Sequence, residues 1–273
     1  MTGGTGRTGG EPERPARSRD ATSPRDRFVT VFGRMPVLEA LLDETLTVDK
    51  VVLSRSAHGP SVDELVAAAE RRGVPVERAD ATRVTRLSRN GRHDQGVVAD
   101  VVAPGLADLD AWLATVADGG WAPAVDVVVL DGVTNPANLG MVLRVATAAG
   151  LAVALPRQGS PDLGPLVVKA SAGIAFRARV LRCATPVDGC RSLAGAGWSL
   201  VALDAAAPAT IWDPFPARVA LVLGGETHGI SPAVAALVAD RRSIPLQGGV
   251  ESLNVATATA IAAFELCRQR EGR

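Results

Sequence analysis

Four apolar runs without interruption, VDVVVLD, LAVALP, WSLVALD and RVALVLGG, fall between residues 125 and 225. A strand that alternates has one wet face; a strand that is apolar throughout is buried on both. Runs of the second kind are the signature of a parallel sheet covered by helices on each side. Parallel neighbours need long crossovers, and crossovers are right-handed. The C-terminal half is therefore expected to be an α/β domain, with short Gly- or Pro-bearing loops joining strands to helices.

The N-terminal half reads differently. FVTVF is a short strand, followed by a helix with Val37, Leu38, Leu41 and Leu42 on one face. VDKVVLSRS is a strand, and SVDELVAAAERRG an amphipathic helix with Ser61 as N-cap and Gly73 just past its end. VPVERAD is a strand, DATRVTRLSR a helix and QGVVADVVA a strand. Residues 28–103 thus read as a small α/β unit, 104–124 as a linker with one short helix, and 125–273 as the larger domain. Residues 1–27 hold Gly, Pro, Arg and Ser with no large apolar side chain after Met1, and are expected to be a disordered tail.

Composition narrows the classes. Lys plus Arg is 29 and Asp plus Glu is 29, so bulk positive charge is not how this chain meets a nucleic acid. Only Lys50 and Lys169 among the basic residues are lysine. Arginine suits bidentate phosphate contacts, though genome composition produces the same bias. Three cysteines form no CxxC pair and three histidines lie far apart, so no metal site is expected. No apolar stretch nears the roughly 18 residues of a membrane span, and no signal-peptide core stands at the N-terminus. The expectation is a reduced, cytoplasmic protein with no membrane contact.

Three loops could carry chemistry. In residues 129–150, VLDGVTNPANLGMVLRVATAAG, a buried strand ends at Asp131 and a helix begins near Asn135–Asn138. Asn135 could cap it with Pro136 at the first helical position, or Asn138 could cap a later start. Amides and an Asn side chain then face the carboxyl end of a strand, where open α/β sheets bind ligands. Arg144 stands in an otherwise apolar stretch of that helix, either facing an anionic partner or simply reaching solvent. In residues 220–231, ALVLGGETHGIS, a strand enters a loop with Glu226 and His228. Gly224 and Gly225 permit close backbone approach to a flat ligand, or serve a tight turn. The loop is neither a P-loop nor GxGxxG, which argues against a nucleotide-dependent reductase. In residues 243–270, SIPLQGGVESLNVATATAIAAFELCRQR, a Gly-Gly loop leads through Ser252 and Asn254, both helix-start residues, into an Ala-rich helix. Three polar, glycine-bearing loops after parallel strands should converge on one edge of the sheet.

These segments, in this order, resemble the three signature motifs of the SpoU (TrmH) family of RNA 2′-O-ribose methyltransferases, within the SPOUT superfamily. The likeness rests on NPANLG with Arg144, on GGETHG, and on IPLQGGVESLNVATATAIAAFE; VVKASAGIAFRARV at 167–180 adds to it. VFGRMPVLEALL and the DQGVVADV strand resemble the small substrate-binding domain of the branch acting on 23S ribosomal RNA guanosine. Many relatives have Asp where Asn135 stands and His where Ala137 stands.

The resemblance implies a deep trefoil knot in the C-terminal domain, a homodimer with active sites near the dimer interface, and S-adenosylmethionine as cofactor. It places cofactor contacts at Leu203, Gly224, Gly225, Ile244, Leu246 and Leu253. Arg144 is implied at the ribose and an adjacent phosphate, Asn138 as orienting the ribose or Arg144, Glu226 as positioning Arg144 or the cofactor amine, and Ser252 and Asn254 as shaping the cofactor loop near the reacting centre. Arg83, Arg86, Arg89 and Arg92 are the candidate RNA-gripping surface of the N-terminal unit, or else a solvated face. The RNA is expected to be ribosomal, with transfer RNA, a resistance role at the ribosome, and a non-catalytic RNA-binding protein as the other readings.

Overall fold

The computed structural model describes residues 27–117 and 125–271. Nearly all of the expected tail, and residues 118–124 of the expected linker, lie outside these. The N-terminal unit runs β1 (Phe28–Phe32), α1 (Arg34–Leu42), β2 (Val48–Ser54), α2 (Pro60–Arg71), β3 (Val76–Ala79), α3 (Ala81–Ser88) and β4 (Val97–Val102). Its sheet has the order β1-β4-β2-β3, with β4 antiparallel to both neighbours and β2 parallel to β3.

Two local expectations fail here. Ser61 does not cap α2: Gly59, at φ 103°, precedes Pro60 in the first turn, and Ser61 Oγ accepts a hydrogen bond from Arg34 Nη1 at 2.8 Å. A serine one residue inside the helix is better used tying α2 to α1. Leu42 is 58% exposed, and Ala40 takes its place on the buried face of α1.

The second unit runs β5 (Leu106–Asp108), α4 (Leu109–Ala117), β6 (Val127–Asp131), α5 (Pro136–Ala148), β7 (Ala152–Pro156), α6 (Pro165–Ala170), β8 (Val180–Cys183), α7 (Pro186–Gly195), β9 (Ser199–Leu203), β10 (Ala209–Thr210), β11 (Val219–Gly224), α8 (Pro232–Ala235), β12 (Asp240–Ser243) and α9 (Val255–Glu271). Its eight strands are ordered β10-β12-β9-β11-β6-β7-β8-β5, and every neighbouring pair is parallel. The stretch read as a linker therefore supplies an edge strand. Leu106 of β5 pairs with Val180 of β8, and Leu109 and Leu113 of α4 are buried in the core of this unit.

The apolar runs work as their pattern requires. Val128 and Leu130 of β6 face one layer with Leu221 and Leu223 of β11 and the buried side chains of α5 and α9. Val127 and Val129 face the opposite layer with Ala220 and Val222, under α4 and α7. Successive side chains of one strand thus fill two separate cores.

The last turns of α9 are stapled to the sheet. Arg270 Nε and Nη2 donate to the Asp126 carboxylate at 3.0 and 3.2 Å, and Nη2 donates to Pro216 O at 2.7 Å. Gln269 accepts from the Phe215 amide at 2.8 Å. Glu265 underlies this: it accepts from Arg268 Nε and Nη2 at 2.8 and 2.7 Å and from Gln269 Nε2 at 2.8 Å. The Arg268 hydrogen bonds first, then that of Gln269, hold its carboxyl down to about 2. A depressed carboxyl contributes stability above its unfolded value, and the contribution is lost as pH falls toward the folded one. Urea unfolding of wild type and Glu265→Gln should therefore differ most above pH 5 and converge as pH approaches 2. A gap that stays constant with pH would contradict this.

Candidate active site

Three connections reach the carboxyl edge of the parallel sheet side by side. After β6, Asn135 caps α5: its Oδ1 accepts from the Ala137 amide at 2.9 Å, and Pro136 takes the first helical position. This settles the helix start and frees Asn138, which is only 4% exposed, to point at a neighbour. After β11, residues 225–229 close on themselves through paired Gly225 and Gly229 backbone bonds, leaving Glu226, Thr227 and His228 outward. Asp131 holds this turn to the end of β6, its carbonyl accepting from Gly225 N at 2.8 Å and its carboxylate from Ser231 N at 2.6 Å. After β12, Asn254 Oδ1 accepts from the Ala256 amide at 2.9 Å and starts α9.

The glycines of the second loop have a tighter reason than ligand approach. A Cβ on Gly225 would overlap the carbonyl of Gly132, and one on Gly224 would overlap the backbone of Gly229 and Ile230. Strand end meets loop backbone with no space for a side chain.

The three loops join through one carboxylate oxygen. Glu226 Oε1 accepts from Asn138 Nδ2 at 2.7 Å and from Asn254 Nδ2 at 2.9 Å. Asn254 Nδ2 also donates to Asn138 Oδ1 at 3.0 Å. Beside this trio lies a pocket of about 260 Å³. Leu203, Gly224, Gly225, Ile244, Leu246 and Leu253, all singled out from the sequence, line it, as do Glu226 and Ser252. Asp204 and Ile230 line it as well and were not foreseen. Asp204 directly follows Leu203 at the end of β9, a position where a polar residue is exposed to any ligand at the sheet edge. An amide from Ala206, then Arg241, holds its carboxyl below the usual carboxylate range.

Sequence models of two families match: the SpoU rRNA Methylase family over residues 126–264, and RNA 2'-O ribose methyltransferase substrate binding over residues 30–106. The chain belongs to the SpoU rRNA methylase family. By that membership it is an RNA 2′-O-ribose methyltransferase. A 23S rRNA (guanosine-2'-O-)-methyltransferase RlmB of Ralstonia nicotianae is 34% identical over 243 residues, covering 88% of this chain and 95% of the relative. An uncharacterized tRNA/rRNA methyltransferase of Mycolicibacterium smegmatis is 34% identical, covering 93% and 81%. Among solved structures, an AdoMet-bound rRNA methyltransferase from Sinorhizobium meliloti superposes with a TM-score of 0.60 at 26% identity, covering 89% of this chain and 88% of that one.

Two sets of candidate residues stand apart from the pocket. Arg144 is exposed on α5, makes no ion pair or hydrogen bond among the described residues, and does not line the pocket. Six residues beyond Asn138 amount to about 9 Å of rise and about 240° of turn, so the two side chains leave the helix in different directions. The four candidate RNA-gripping arginines also divide. Arg83 pairs with Glu77 at 2.6 Å on the surface, Arg92 is exposed, and Arg86 and Arg89 line a separate cavity between the two units.

Glu226→Ala would leave the Asn138 and Asn254 amides without their shared acceptor, and Asn138 is buried. The expected cost is about 1–3 kcal/mol in urea unfolding, together with weakened ligand binding in the adjoining pocket. Glu226→Gln, which keeps an acceptor oxygen, should recover most of the loss. Equal stability of the Ala variant and wild type would remove the trio from its structural role.

Proposed function

We propose that this SpoU methylase transfers a methyl group from S-adenosylmethionine to the 2′-oxygen of a ribose in large-subunit ribosomal RNA. The observation that carries the reading is the convergence of the three motif loops on one trio and one pocket. The relatives named for 23S rRNA and the matched substrate-binding domain favour ribosomal over transfer RNA.

The pocket suits that cofactor chemically. Leu203, Ile244, Leu246 and Leu253 offer apolar faces to an adenine ring, and Gly224 and Gly225, which carry no side chain, border them. The Glu226 carboxylate at the wall favours a cationic ligand over the phosphates of a dinucleotide, while Asp204 is already paired with Arg241 at 3.0 Å. When bound, the cofactor supplies an electrophilic methyl on a sulfonium that departs as a neutral thioether. The chain must place the ribose in line and stabilise the oxygen as its proton leaves. Asn138, Asn254 and Ser252 hold the reacting edge of the pocket, and Glu226 fixes the two amides.

Arg144 stabilises the developing alkoxide and clamps a neighbouring phosphate. A guanidinium stays protonated in proteins, which fits this role better than that of a base. It acts on the pocket of a second copy in a homodimer. Its exposure supports this, as do two large apolar side chains left exposed on the paired helices, Met141 of α5 and Phe264 of α9. The reading includes a trefoil knot in the C-terminal domain and a cytoplasmic location beside the RNA.

Labelled methyl transfer to ribosomal and transfer RNA from a strain lacking this gene, with mapping of the modified ribose, tests the substrate. Arg144→Ala should abolish transfer while cofactor affinity stays within a few fold. Mixing it with a pocket variant, Leu253→Asp, should restore about a quarter of wild-type activity through mixed dimers with one complete site. Near-normal turnover of Arg144→Ala alone would reject the assignment, and no recovery on mixing would reject action across the dimer.

A further inference from the structure

A second cavity, of about 830 Å³, lies away from the cofactor loops. It opens between the two units, within the range of about 300–1,000 Å³ that ligand sites occupy. Phe28 and Phe32 of β1 form one wall, and Leu163, before α6, and Leu166, in its first turn, line the cavity with them. Pro136, the first residue of α5 and two before Asn138, also lines it, so the cavity adjoins the trio through the start of one helix.

Its charge is asymmetric. Asp162 is held by Arg89 at 2.7 Å and by Arg182, which is 4% exposed, at 3.6 Å. Asp100 is taken up by Lys50 at 3.5 Å and by Thr30 at 3.0 Å. Arg86 at the rim has no carboxylate partner among the described residues. Asn90, His93 and Gln95, on the loop after α3, add groups that hydrogen-bond to base edges. Aromatic and aliphatic walls, surplus guanidinium at the mouth and amides at the edge are the combination that holds an unstacked nucleotide: the base packs on the walls and its phosphate meets the arginine.

We propose that this inter-unit cavity takes one unpaired nucleotide of the RNA, a neighbour of the methylated one, and so reads sequence at a point separate from the cofactor pocket. This rests on the reading that the substrate is RNA. It gives the N-terminal unit a defined task, since Arg86 and the aromatic wall belong to it while Pro136 and Leu166 belong to the methylase unit.

The test uses the full chain and large-subunit ribosomal RNA transcribed with 4-thiouridine. After ultraviolet irradiation, peptides carrying residues 28–35 and 161–167 should bear nucleotide adducts. Met35→Arg and Leu166→Arg, at side chains 60% and 67% exposed, put bulk at the cavity with little strain on the fold. A cation added to a surface would by itself raise RNA affinity. A tenfold or greater rise in Kd for RNA, with the thermal melt and S-adenosylmethionine affinity unchanged, therefore reads as a blocked cavity. Adducts confined to other faces, or RNA affinity in both variants equal to or tighter than wild type, would overturn the proposal. Methyl transfer is scored separately. Transfer that persists while the cavity variants bind RNA normally sinks the cavity alone. RNA held in the cavity without transfer sinks the reaction alone.

Discussion

The carbonyl of Gly132, after β6, lies where a Cβ on Gly225 would have to go, and the backbone of Gly229 and Ile230 does the same to Gly224. Everything at the sheet edge depends on that contact of main chain with main chain. It seats the 225–229 turn directly against the end of β6, where Asp131 binds it with both its carbonyl and its carboxylate. With the turn seated, Glu226 comes within hydrogen-bonding distance of Asn138, 88 residues earlier in the chain, and Asn254, 28 later. The cost of closing such long loops rises only slowly with their length. The trio then fixes where α5 and α9 begin relative to each other, and the pocket wall follows from those two helix starts.

Much of the fold could be read directly because its physics is one-dimensional. The central residues of β6, β7, β9 and β11 are apolar and buried on both faces, with the polar Asp131 and Ser199 only at strand ends. β8 escaped because Arg182 interrupts it: a buried arginine at a cavity looks, in a line of letters, like a surface residue. β5 escaped because three residues carry no period, and only pairing with β8, more than seventy residues on, makes them a strand. Ser61 misled for a related reason. Its partner is Arg34, so its role is set by a contact between helices that local capping preference does not contain.

At the site, residue type alone said that three loops converge but not what they bind; the six pocket-lining residues named in advance came from likeness to a family. Asp204 had no motif around it and became visible only once β9 and β12 stood side by side. The arginines show the opposite limit. Arg83, Arg86, Arg89 and Arg92 look equivalent at a spacing of three, yet Arg83 is spent on Glu77 and Arg89 on Asp162. Spacing gives the face of a helix, whereas ion-pair partners come from elsewhere in the fold.

The two concavities carry opposite electrostatics. The pocket beside the trio presents Glu226, with Asp204 engaged by Arg241 at 3.0 Å. The cavity between the units presents Arg86 without a carboxylate partner among the described residues, while Arg89 and Arg182 engage Asp162 and Lys50 engages Asp100. In the proposed arrangement an RNA phosphate meets the guanidinium of Arg86 and a sulfonium meets the carboxylate of Glu226. Such sorting matters for an enzyme that must bring an RNA and a sulfonium to the same helix start without either occupying the other's place. α5 is the element they share: Pro136 borders the cavity and Asn138 the trio. In the proposed arrangement a ribose at that helix start lies between the inter-unit cavity and the cofactor pocket, with its 2′-oxygen toward the pocket and a neighbouring phosphate toward Arg86.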